Sequence, residues 1–122
     1  MLVIKRKLNE AMVHVYPDGT LSTFTVLNVD KNEIKMSIDS PHLRKQSMLI
    51  VTRRLNESIK HVHPDGTLST FTIIGISGNQ VKIGINAPRE VIVHRKEIFN
   101  QILKENDGII PGTDYEIDAN NT

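Results

Sequence analysis

The stretch PDGTLSTFT stands at Pro17–Thr25 and again, letter for letter, at Pro64–Thr72. The offset (64 − 17 = 47) carries through the flanking residues without a gap. MLVIKRKLNEAMVHVYPDGTLSTFTVLNVDKNEIKMSIDSP, from Met1, runs beside MLIVTRRLNESIKHVHPDGTLSTFTIIGISGNQVKIGINAP, from Met48. Of the 47 aligned pairs, 21 are identical, and seven of the 26 differences exchange Ile, Val and Met. The chain therefore reads as a duplicated module, and two repeats suggest a pseudo-dimer rather than a solenoid.

Within one repeat the signals are those of strands. MLIVTRR is a short β-branched run ending in basic residues, and NESIKHVH alternates loosely around Ile59 and Val62. PDGT makes a turn, with proline at the first central position and glycine supplying positive φ. LSTFTIIGI and QVKIGI are strands joined at SGNQ, where Gly-Asn suits a two-residue hairpin loop. NAPRE breaks the chain, and VIVH is one more strand. RKEIFNQILKENDG then changes period: Ile98, Phe99, Ile102 and Leu103 share a helical face, and Gly108 stops it. The expected fold class is mainly β with one C-terminal α-helix.

The repeats are unequal. Polar HLRKQS in the first stands opposite REVIVH in the second, and no helix follows it. The expected organisation is a truncated repeat at 1–47, a full repeat at 48–106 and an acidic tail at 107–122 without periodicity.

Composition narrows the function. There is no Cys, which excludes disulfides, thiolate zinc sites and cysteine nucleophiles and is consistent with a reducing compartment. No apolar run approaches the ~20 residues of a membrane span, and MLVIKRKLNE has the reverse order of a secretory signal. A soluble cytoplasmic protein with no membrane partner is expected. The net charge of +1 hides a segregation. Residues 1–104 hold 15 basic and 9 acidic side chains (15 − 9 = +6), whereas 105–122 hold five acidic and none basic (−5). A basic body suits a polyanionic partner, and the tail could screen it.

Four segments of the second repeat, MLIVTRR, NE, GNQVKIGINAP and EVIVHRKEI, together resemble the carbon storage regulator family (CsrA, also called RsmA). The likeness covers about residues 48–105, and the first repeat resembles the family over 1–41 only. Both repeats depart from it around VHPDGTLS, which is longer than the family's segment there. The resemblance implies intertwined five-stranded subunits that lend first and last strands to each other's sheets. It implies binding of messenger RNA 5′ regions, or of small regulatory RNAs, at GGA elements often set in hairpin loops. Ribosome access to a start site is commonly blocked as a result.

Carried onto this chain, the RNA-binding residues are Val51, Thr52, Arg53 and Arg54 on the first strand of the second repeat. Val93, His94 and Arg95 belong to its last strand, with Arg89 in the turn before them. Arg95 corresponds to the family's principal basic residue. In the first repeat the counterparts are Ile4, Lys5, Arg6 and Lys7, where lysine cannot reproduce a bidentate guanidinium fork. The chemistry suits the role: arginine forks match phosphate and guanine, and a strand edge offers fixed backbone groups to unpaired bases.

Two architectures follow. Either the chain folds on itself, joining Ile4–Lys7 with Val93–Arg95 and leaving Arg53 and Arg54 without a last strand, or two chains dimerise through their full repeats. Covalent linkage favours the first; a mixed exchange of strands between two chains is the third possibility. A degenerate relative that modulates another CsrA-type protein, or an antagonist protein, is the alternative function. His61 and His63 have a spacing compatible with two metal ligands, but no third ligand is evident, and no metal or cofactor is expected. Ser, His and Asp stand in no nucleophile motif, so no enzymatic activity is expected. Asp18 and Asp65 are read as turn residues, Glu10 and Glu57 as surface or structural.

Overall fold

A computed structural model of the 122-residue chain describes residues 1–40, 48–63 and 66–108. The first repeat forms β1 (Leu2–Lys7), β2 (Ala11–Val15), β3 (Leu21–Val29) and β4 (Glu33–Asp39). The second forms β5 (Met48–Arg54), β6 (Ser58–Val62), β7 (Leu68–Ser77), β8 (Gln80–Asn86), β9 (Ile92–Arg95) and α1 (Lys96–Glu105). The expected class holds: two antiparallel sheets and one C-terminal helix.

Turn chemistry explains the local boundaries. Gly19 and Gly66 take φ of 85° and 88°, as the PDGT turns require. Asp18 accepts bonds from the Thr20 amide (2.9 Å) and hydroxyl (2.6 Å), whereas Asp65 lies outside the described residues. Glu10 and Glu57 are structural: each carboxylate accepts a backbone N–H, from Lys7 at 2.8 Å and Arg54 at 2.7 Å. These bonds close turns in which Asn9 and Asn56 hold positive φ.

The first strands change places. One sheet runs β1-β8-β7-β6 and the other β5-β4-β3-β2-β9. Each repeat's opening strand therefore lies in the other repeat's sheet. The two exchanges share one register: Ile4 faces Ile83, and the equivalent Val51 faces Met36. Within this one chain the exchange of first strands is complete. Asp39 pairs with Met48 at the end of the β4–β5 ladder. HLRKQS, expected to replace a last strand in the first repeat, lies outside the described residues.

The core lies between the sheets and draws on both repeats. Phe24 and Phe71, equivalent residues 1% exposed, bring ring centroids to 4.6 Å, with Met12, Ile59, Ile73, Ile83 and Ile85 around them. A second cluster covers the outer side of β2, where Phe99 and Leu103 of α1 close over Val13 and Val15. The helical face is narrower than its periodicity suggests: Ile102 is half-buried and Ile98 is 41% exposed. Gly108, at φ 84°, ends the helix with its amide on the Leu103 carbonyl at 2.7 Å.

Candidate nucleic-acid interface

β1 and β9 belong to different sheets and share no ladder, yet one side chain sews them together. Arg6 points inward from β1 and is 3% exposed. Its guanidinium donates to the Ala11 carbonyl at 3.0 Å and forks onto the Glu97 carboxylate at 2.8 and 3.0 Å. Glu97 sits in the first turn of α1, two residues beyond the end of β9. The Arg6 hydrogen bonds are the main cause that holds its pKa down at about 2, with Arg95 contributing as a nearby charge. The bidentate pair thus fixes the mouth of the helix against the first strand of the other sheet.

Along this seam the strand alternation sorts the residues. Lys5 and Lys7 point outward from β1 and are exposed, while Ile4 is 5% exposed in the core. Of the expected contact set, Ile4 lies in the core and Arg6 is a buried clamp. On β9, Val93 pairs with His14 and Arg95 with Met12, whereas His94 pairs with Val13 and lies 6.4 Å from the Phe99 ring. His94 thus faces the helix rather than the seam, and burial lowers its pKa. Arg95 and Arg89 are exposed. Between β1 and β9 opens a recess of about 290 Å³, lined by Met1, Leu2, Asn86, Ala87, Arg89 and Val93. Aliphatic walls, a turn backbone and an arginine at the rim suit a flat, partly polar ligand.

Residues 48–104 match CsrA, the global regulator protein family. No curated protein and no solved structure matches the chain. The CsrA-type segment is the second repeat, and the recess joins its last strand to the opening strand of the first repeat.

The other half of the CsrA-type set is elsewhere. Val51, Thr52, Arg53 and Arg54 lie on β5, at the far edge of the sheet that β9 closes on its opposite side. Four strand spacings separate them, about 19 Å. Thr52 and Arg54 are exposed, Val51 and Arg53 half-buried. Arg53 repeats the backbone bonds of its counterpart, donating to the Thr52 carbonyl (2.7 Å) and the Ser58 carbonyl (3.0 Å). Among the described residues no carboxylate meets it, because nothing in the first repeat corresponds to Glu97.

Sequence reading missed a third feature, a buried polar network between the sheets. The Tyr16 hydroxyl lies 2.6 Å from Ser22 Oγ and 2.7 Å from His61 Nε2, and Ser22 reaches Ser40 at 2.7 Å. His63 bonds Thr67 (2.9 Å) and Ser69 (2.8 Å). Burial raises the Tyr16 pKa to about 12, so the phenol remains a donor. Among the described residues no group of three or more His, Cys, Asp or Glu side chains could hold a metal. His14, fully buried against Phe24 and Phe71, has no hydrogen-bond partner at either ring nitrogen among the described residues. Its alignment with His61 is visible in the sequence. Its isolation follows from the Tyr16/His63 difference: Tyr16 reaches His61, whereas its equivalent His63 turns to Thr67 and Ser69.

Proposed function

We propose that the chain is an RNA-binding post-transcriptional regulator with a single complete binding face. The observation that carries this reading is the clamped seam: the Arg6–Glu97 pair brings the cationic outer side of β1 beside Val93 and Arg95 of a CsrA-type last strand. Lys5 and Lys7 contact phosphate, and Arg95 and Arg89 add guanidinium forks able to meet phosphate or guanine. The recess takes an unpaired base against Leu2, Ala87 and Val93, its edge read by the backbone of the 86–90 turn. The preferred element is GGA in a loop, and a transcript bound at its start site loses ribosome access.

One face per chain sets this protein apart from a regulator that bridges two elements. Arg53 and Arg54, about 19 Å from β9, have no last strand beside them among the described residues. They add electrostatic attraction alone. An RNA hairpin with GGA in its loop, titrated to saturation beside a GCA control, tests the reading. The expected stoichiometry is one RNA per chain. Arg95→Ala should weaken GGA binding by about tenfold to a hundredfold, as the loss of a bidentate contact does. Arg53→Ala should change affinity only a few-fold, and less still at high salt. Equal affinity for GGA and GCA, with Arg95→Ala matching the parent, would refute it.

A further inference from the structure

We propose that the chain carries a second ligand site: a cavity for a small organic cation, set behind the turn that reads RNA and tightening RNA binding when filled. The cavity measures about 190 Å³, and one of about 150 Å³ is enough to hold a benzene ring. It opens where the two PDGT turns meet the turn before β9. Its floor is buried, formed by Tyr16 of the first repeat, the equivalent His63 of the second, and Val91. Both rings are held in place. Tyr16 bonds Ser22 and His61, His63 bonds Thr67 and Ser69, and the Tyr16 and His63 centroids lie 5.2 Å apart. A floor fixed in this way costs a ligand little reorganisation.

The rim selects the charge. Asp18 and Glu90 stand exposed at it, and among the described residues no lysine or arginine lines the cavity. The two Thr20 bonds hold the Asp18 carboxylate in its turn. Burial first, and the Asp18 charge with it, raises the Tyr16 pKa, so the field of that carboxylate reaches the floor. A mostly apolar hollow, with two acids at its mouth and an aromatic ring below, fits an ammonium group on an apolar body of about one ring. The same field repels the phosphates of RNA.

Cavity and recess are two sides of one turn. Pro88 and Val91 line both, and the Val91 amide closes the turn on the Pro88 carbonyl at 3.0 Å. The two residues between them part: Arg89 lines the recess and Glu90 the cavity. An ammonium beside Glu90 offsets the negative charge next to Arg89, which raises the positive potential offered to RNA. It also braces the turn whose backbone meets the unpaired base, so less ordering remains when RNA arrives. Both effects have the same sign. The coupling rests on the RNA reading above, whereas the occupancy of the cavity does not.

Phenethylamine is the probe, titrated without RNA into the full ¹⁵N-labelled chain beside its neutral isostere 2-phenylethanol. Saturable amide shifts are expected at Tyr16, Asp18, Glu90 and Val91, with the amine bound at least about tenfold more tightly than the alcohol. Glu90→Gln, an exposed substitution, should weaken the amine about tenfold and leave the alcohol unchanged. In the RNA titration, saturating phenethylamine should tighten GGA-hairpin binding about fivefold or more, and Glu90→Gln should remove that response. The site is overturned by the absence of a saturable shift, by equal affinities for amine and alcohol, or by shifts centred on Leu2 and Arg89 in the recess. Amine binding that leaves RNA affinity unchanged overturns the coupling. Arg95→Ala should bind phenethylamine as the parent does, so failure of the site and failure of the RNA reading are separate results.

Discussion

Replacing His14 with leucine probes the buried interior, and the structure gives both the sign and the size of the effect. The imidazole is fully buried between Phe24 and Phe71. Burial, reinforced by the nearby His61 and His63, lowers its pKa from 6.5 to about 3. In the unfolded chain the ring takes up a proton near pH 6.5, while in the folded chain it stays neutral far below that. Between these values the unfolded state binds more protons, so stability falls as pH falls, at about 1.4 kcal/mol per pH unit. From pH 7.5 to pH 5 this one group removes about 2 kcal/mol. His14→Leu lacks that loss and also removes ring nitrogens buried without partners, a gain of about 1–3 kcal/mol at neutral pH. Urea melts of both proteins at the two pH values, compared through midpoints and slopes, measure the difference. A stability gap that is the same at pH 5 and pH 7.5 would show that His14 is not held neutral by burial.

Glu97→Gln keeps shape and removes the charge facing Arg6, so stability at pH 7 should fall by about 1–2 kcal/mol in chemical denaturation, discounted for the carboxylate's exposure. Because the folded pKa of Glu97 is depressed to about 2, its contribution is full above pH 4.5 and is lost as pH falls toward 2; the parent and variant curves should converge there. Phe99→Ala should cost about 3–5 kcal/mol, since the ring is fully buried beneath the outer face of β2. The repeats should respond unequally to one change: Val15→Ala should cost about 2 kcal/mol, and Val62→Ala should stay within about 0.5 kcal/mol. Equal costs at these two positions would contradict the one-sided helix cover.

Much of the fold was legible from 47-residue self-similarity and local chemistry. Turn residues, period-two strands and a shift to helical period are short-range signals, so the strands of each repeat, the Gly-Asn hairpin and the helix ending at Gly108 follow from them. The self-similarity also narrowed the architecture to a few strand exchanges. The sequence could not say which equivalent residues would share a fate. Arg6 and Arg53 occupy identical positions in matching stretches, yet one is 3% exposed against Glu97 and the other is half-buried without a carboxylate among the described residues. Val15 and Val62 differ in the same way. Exposure, ion pairing and facing are set by what lies across the strand, and here that neighbour comes from a distant part of the chain. Repeat, turns and strand count are properties of neighbouring residues and were fixed in one dimension; the binding seam exists only where β9 and α1 of one repeat close on β1 of the other.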